Sequence, residues 1–367
     1  MNRPRRCLWQ PLMIILIMML SSVAAAQPDY EAMRSQIENL RERIATLEAE
    51  KTKPDEPFIL TARNKSITLG GLLELEALWD KAEGGDETSD LQVATVELSA
   101  DVDINENIAA HLSLLWEEDG TENIEIDQAV IFLRHPVPFW SHYVTFTGGK
   151  MYLPFGKFNS AFISDPLTLE LSETNSTAAV LGFQGNLIAL HIGAFNGEVD
   201  THDDDDQIDS WVASVELTPV DGFAFGISYL SDLGESDIEL VQDQDLYRSS
   251  VAASGAYLSW QLWEINLLAE SIAALESFSA EMVDAGEDLT GKKPWAWNVE
   301  LSWEPNERWQ LGVKTEGAED FQNDLKRYGA VVSRGLFRNT VLGLEYLYGD
   351  DNEDESHTVT AQLALSF

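Results

Sequence analysis

The chain carries a single cysteine, Cys7, in 367 residues. That excludes a disulfide framework and any zinc site built on thiolates. Basic side chains are scarce: 23 Lys and Arg against 63 Asp and Glu give a formal charge of −40 and a pI near 4.2. Nucleic acids are held by clustered Lys and Arg that release counterions, so DNA and RNA are set aside as partners. The 6 histidines form no His-Glu-x-x-His pair, and the sequence has neither a Gly-x-Ser-x-Gly elbow nor a phosphate-cradling glycine loop. The chain therefore reads as a non-enzyme with no implied cofactor or metal, the one arrangement left open being a Ser–His pair assembled from distant strands. Long apolar runs are missing too. Beyond the first 26 residues nothing approaches the roughly 20 apolar residues of a spanning helix, although 44% of the chain is hydrophobic. The mature chain is expected to be either soluble or a β-barrel.

Arg3, Arg5 and Arg6 precede an apolar run from Leu12 to Leu20, and Ala24, Ala25 and Ala26 follow in an Ala-x-Ala pattern. This predicts a cleavable secretory signal over residues 1–26; the alternative, an uncleaved anchor, has too short an apolar run. Residues 27–53 change period. Tyr30, Met33, Ile37, Leu40, Ile44 and Leu47 are spaced by alternating threes and fours, the a/d seam of a coiled coil. The segment predicts self-association into a homo-oligomer, with dimer and trimer both open, or else a lone amphipathic helix on its own domain. Pro54 and Pro57 then stiffen a linker over 54–65.

From residue 66 to 367 the period is two. Leu69, Gly71, Leu73, Leu75, Ala77 and Trp79 alternate with Thr68, Gly70, Leu72, Glu74 and Glu76, and Val359, Ala361, Leu363, Leu365 and Phe367 alternate with polar neighbours. Sixteen strands follow, at 66–80, 91–104, 108–118, 124–134, 143–152, 178–185, 187–196, 209–218, 223–231, 249–260, 263–275, 295–304, 308–317, 327–334, 340–348 and 357–367. Linkers after odd-numbered strands are mostly long and acidic; those after even-numbered strands are short, such as Asn105-Glu106-Asn107 and Glu304-Pro305-Asn306-Glu307. A break at Gln261-Leu262 carries little turn chemistry. The alternation predicts an all-β fold: a 16-stranded antiparallel transmembrane barrel in the outer membrane, with its coiled coil in the periplasm and the lipid bilayer as partner. Trp303 and Trp309 suit an interfacial aromatic girdle.

More than half of the acids fall in the long linkers. The run Asp203 to Asp206 offers oxygen ligands for Ca²⁺ or Mg²⁺, or simply a solvated loop face. Glu74, Glu76, Glu97, Asp101, Asp103, Glu117, Glu216, Glu264, Glu300, Glu316 and Glu345 oppose the apolar strand faces, with Lys314 and Arg308 among few bases. A lumen of that composition favours cations or neutral solutes.

The stretch Gly148-Gly149-Lys150-Met151-Tyr152-Leu153-Pro154-Phe155-Gly156-Lys157-Phe158, running into Ile163-Ser164-Asp165-Pro166-Leu167-Thr168-Leu169-Glu170-Leu171-Ser172-Glu173-Thr174, closely resembles a hallmark segment of the LbtU-type siderophore porins, a family named for the outer-membrane receptor for legiobactin. The match at motif level is confined to residues 148–174, while the general layout is similar throughout. The resemblance implies uptake of a ferric siderophore through a barrel lacking a large plug; a non-specific cation-preferring porin is the alternative, and a mere envelope tether a third reading. The linker 153–176 is unlike the others, with Phe155, Phe158, Phe162, Ile163, Leu167, Leu169 and Leu171 among few charges. Such a segment is expected to be buried, either folded into the lumen or packed on a neighbouring subunit. Lys150, Tyr152, Phe155, Lys157, Asp165, Glu170, Glu173, Arg308 and Lys314 are the candidate pore or substrate contacts.

Overall fold

The computed structural model describes residues 58–62, 65–82, 84–85, 87–118, 121–137, 142–197, 199, 208–238, 240–241, 247, 249–278, 289, 291–352 and 354–367. The predicted signal, the coiled coil and the Asp203 to Asp206 run lie outside the described residues.

The elements are β1 (Phe58–Ala62), β2 (Lys65–Ala82), β3 (Glu87–Asn105), β4 (Ile108–Glu117), β5 (Thr121–Pro136), β6 (Tyr143–Tyr152), the short helix α1 (Leu167–Ser172), β7 (Asn175–Gln184), β8 (Ile188–Phe195), β9 (Ser210–Val220), β10 (Phe223–Leu230), β11 (Ala253–Leu262), β12 (Ile265–Ala274), β13 (Trp295–Asn306), β14 (Trp309–Glu319), β15 (Lys326–Phe337), β16 (Thr340–Asp350) and β17 (Glu355–Ser366). From β2 onward every strand pairs antiparallel with the next, and β17 returns to β2 in a register running from Ser356↔Ala82 to Ser366↔Leu72. The result is a closed barrel of sixteen strands. Closure pairs each of the sixteen barrel strands on both sides, as a sheet surrounded by hydrocarbon requires.

Two details differ from the sequence pattern. Residues 58–62, read as linker, form β1, which pairs with the start of β2 from Phe58↔Leu69 to Ala62↔Lys65. The cause lies at the seam. β17 pairs with β2 as far as Ser366↔Leu72, Phe367 exchanges two backbone hydrogen bonds with Gly71, at 2.9 and 3.0 Å, and β1 takes up the edge of β2 from Leu69 onward. The second difference is the turn between β11 and β12, which falls at Trp263 and Glu264, with Trp263 at φ 56° and Leu262 facing Ile265. The glycine signal that would have marked it is absent.

Alternation sorts the side chains into two surfaces. Leu98, Leu112, Ile131, Leu181, Ile192, Val313 and Leu344 are all exposed, forming an apolar outer face among the described residues. Aromatics stand at both rims: Trp260, Trp263, Trp303 and Trp309 near the short turns, and Trp211, Tyr328 and Tyr346 near the long loops. Arg334 lies over the Trp309 ring at 5.0 Å, an arrangement suited to an interface that is apolar on one side and wet on the other. The buried core joins the inner wall to residues of the long connections, Leu233, Tyr247, Phe278 and Phe321 among them. Phe155, Leu167 and Leu171 from the long β6–β7 connection pack against Val212, Leu230, Ile272, Ala296 and Ala318 of the wall. The connection therefore lies within the lumen.

Candidate functional site

The path of that connection begins at a glycine. Gly149 in β6 has φ 136°, and a Cβ there would lie 2.0 Å from the Ala129 carbonyl oxygen of β5, so only glycine permits this strand pairing. After Leu153, whose N–H donates to the Thr174 carbonyl at 2.9 Å, the chain turns inward and needs partners for its backbone groups. Glutamates of the opposite wall supply them. Glu270 accepts the N–H groups of Lys157 and Phe158 at 2.6 and 3.1 Å and the Thr168 hydroxyl at 3.1 Å. Glu300 accepts from Ala161 N–H at 3.0 Å and Ser160 Oγ at 2.8 Å. Glu345 accepts from Ile163 and Ser164 N–H at 2.6 and 3.2 Å, and Glu316 from Leu167 N–H at 2.9 Å. Hydrogen bonds to a carboxylate are among the stronger kind, and these four residues pin the segment along β12, β13, β14 and β16.

A buried charge network completes the clamp. Lys314 Nζ lies 2.9 Å from Glu316 Oε1, both side chains having no exposure, and Arg327 Nε lies 2.8 Å from the same oxygen. Arg327 Nη2 also donates to Glu170 at 2.6 Å, and Lys314 Nζ donates to Ser164 Oγ at 3.1 Å while standing 4.8 Å from the Phe162 ring centre. Lys157 Nζ reaches Glu216 at 3.2 Å, and the Tyr257 hydroxyl donates to the same carboxylate.

Along β2 to β5 no described residue of the inward segment donates to a wall carboxylate. Here Glu76 accepts from Gln362 at 2.9 Å, Asp103 accepts from Ser66 at 3.1 Å, and Asp101 lies 2.8 Å from His111 Nδ1. At the long-loop rim a cavity of about 810 Å³ is lined by Glu117, Lys150, Asp165, Glu173, Asn175 and Ser236 among others. Asp127 organises one side of it. The pairing of β4 with β5 shifts by one residue between Ser113↔Gln128 and Leu114↔Ile126, a bulge that re-aims Asp127. Its carboxylate accepts from Ser113 at 2.8 Å, Tyr152 at 2.7 Å and Asn175 at 3.2 Å. Tyr152 thus ties the end of β6, and Asn175 the start of β7, to β5. Electrostatics follow from the crowding of acids. Burial, then Asp237, Asp165 and Asp127, push the Glu173 carboxyl up to about 7. Burial and Glu170 raise Asp165, opposed by Lys314 and Arg327.

The nine residues singled out from sequence separate into groups. Lys150, Tyr152, Asp165 and Glu173 line the rim cavity together. Lys157, Glu170 and Lys314, expected as solute contacts, are instead tied up in holding the inward segment, because a chain crossing a lumen must satisfy its own polar groups first. Phe155 is core, 2% exposed. Arg308 sits on the short turn between β13 and β14, at the rim away from the cavity, where its carbonyl accepts from Gly335 N–H at 2.8 Å; Glu264, also expected on the lumen wall, is in a turn as well. Glu270 and Arg327 were missed. Glu270 sits in the apolar run Ile265–Ala274, yet its parity with Leu268 and Ile272 marks it as facing the lumen.

No family model matches the chain. It is similar to a UPF0422 protein of Coxiella burnetii, 23% identical over 304 residues that cover 76% of this chain and 63% of the relative. A UPF0422 protein of Legionella pneumophila is 22% identical over 327 residues, 78% of this chain and 59% of the relative. The chain thus spans about three-fifths of the length of these relatives. Among solved structures, the outer-membrane channel DcaP of Acinetobacter baumannii superposes with a TM-score of 0.61 at 11% identity, covering 84% of this chain and 99% of that one. OmpF of Salmonella typhi, solved with daunomycin, gives 0.62 at 11% identity, covering 84% and 100%. The fold is that of outer-membrane porins. At these identities the likeness speaks for architecture alone.

Proposed function

We propose that this protein is an outer-membrane channel that admits small cationic solutes through a lumen narrowed by its own inward segment. One observation carries the reading: four wall glutamates hold residues 157–168 against one side of the barrel, and Glu117, Asp165 and Glu173 line the cavity left at the long-loop rim. Water-filled barrels conduct, and a passage lined with one sign of charge concentrates the opposite ion. The test is reconstitution in planar bilayers under a KCl gradient. A reversal potential of the sign given by K⁺ permeation is expected; a barrel that inserts without conducting, or that prefers Cl⁻, overturns the proposal.

A second reading, uptake of a ferric siderophore, is favoured by the resemblance of residues 148–174, since that segment is the constriction itself. The acidic lining restricts such a cargo to neutral or cationic chelates. Loss of labelled ferric-siderophore uptake in a deletion strain under iron limitation supports it, and unchanged uptake removes it. Residues 27–53 are proposed to join copies of the chain through a periplasmic coiled coil, following a cleaved signal. Chemical cross-linking of the full chain and of a variant lacking 27–53 tests this.

A further inference from the structure

The rim cavity has an uneven set of unused valences. Ser236 lines it, is 4% exposed, and its Oγ has no hydrogen-bond partner; Asn175 Oδ1 is likewise buried and unpartnered, its amide nitrogen being committed to Asp127. Among the described residues Glu117 and Glu173 have neither a hydrogen bond nor an ion pair from their carboxylates. Every one of these groups can accept. Ser236 Oγ and Asn175 Oδ1, buried and unpaired, are costly and call for an explanation, and an occupant that only donates, and carries positive charge, would satisfy them while meeting the charge of the exposed Glu117 and the half-buried Glu173. The charges are also spread out: among the described residues no three acidic or histidine groups come close enough to hold one metal ion. A divalent cation is therefore a poor match for a space of about 810 Å³, whereas a chain of ammonium groups separated by methylenes matches both the spacing and the acceptors. Lys150, on the same lining, repels a further ammonium and limits how the chain can lie.

We propose that this cavity binds aliphatic di- and polyamines, with Glu117, Asp165 and Glu173 taking ammonium groups and Ser236 and Asn175 accepting their N–H bonds. The proposal deepens the channel reading by naming a solute class, so binding and conduction are measured separately. Spermidine is titrated calorimetrically into the detergent-solubilised full chain, with correctly folded barrel verified by heat-modifiable migration for each variant. Saturable binding that weakens with added salt is expected, reduced at least about tenfold by Glu117→Gln with Glu173→Gln and several-fold by Ser236→Ala. Glu307→Gln, at the opposite rim, leaves it unchanged. No binding, equal binding by the double variant, or displacement of spermidine by an equal concentration of Mg²⁺ overturns the assignment. In bilayers, spermidine added on the long-loop side should reduce the K⁺ current. Conduction without calorimetric binding rejects the site and keeps the channel; binding without conduction rejects the channel and keeps the site.

Discussion

The two halves of the barrel spend their glutamates differently. Along β12 to β16 the inward-facing acids Glu270, Glu300, Glu316 and Glu345 are buried, each engaged by backbone or side-chain donors of the segment that crosses the lumen. Along β2 to β4 the acids Glu74, Glu97 and Asp101 share the polar parity of their strands but, among the described residues, receive no hydrogen bond from that segment. The same residue type in the same register is a fastener on one side and a charged lining on the other. What decides between them is whether a second piece of chain arrives to donate hydrogen bonds.

The strongest test of that contrast removes the fastened piece. Replacing residues 156–172 by a short Gly-Ser link should raise single-channel conductance several-fold and weaken ion preference, because the lumen of a sixteen-stranded barrel is otherwise open. Unchanged conductance would mean that current never passes the segment. Next in size, Glu316→Ala leaves Lys314 buried without its ion pair and Arg327, half-buried, with Glu170 alone. The expected loss is about 3–5 kcal/mol, read as a lower urea midpoint for the heat-modifiable form, with Glu74→Ala on the open side having little effect.

A pH titration probes the lining more gently. Glu173, with its carboxyl near 7, is neutral in acid and negative above neutrality, so K⁺ preference should rise as pH passes from 6 to 8, and Glu173→Gln should flatten the step. The stability sign is opposite. The folded state holds this proton more tightly than the unfolded chain, with its ordinary value near 4.5, so stability falls as pH climbs through the window from 4.5 to 7. The smallest effect is expected at the seam. A methyl at Gly71 would meet the Phe367 ring at 2.4 Å, and because a terminal ring can swing aside, Gly71→Ala should cost about 1 kcal/mol and leave selectivity unaltered. A change in reversal potential there would show that the seam, and not the two walls, governs permeation.

Much of the barrel was legible because alternation is local. Each of the sixteen predicted strands overlaps a barrel strand, and the apolar residues Phe155, Leu167 and Leu171 marked the β6–β7 linker as buried. What could not be read was pairwise and distant. Nothing in Lys157 or Lys314 distinguishes a clamp from a solute contact until Glu216 and Glu316 are placed beside them. Glu270 was hidden by the leucines and alanines around it, and Asp127 owes its role to a bulge that leaves no mark in composition.

The inward segment also has a bearing on how the molecule is made. Its fasteners come far later in the chain, Glu345 being 182 positions beyond Ile163, so the segment is synthesised long before the residues that hold it. Contacts this remote are slow to form. A cylinder sealed first would have to admit the segment afterwards through its mouth; one that gathers its strands around the segment encloses it from the start. Assembly and obstruction are then a single event, and a variant that loosens the fasteners should accumulate as an unsealed intermediate before it shows any altered flow.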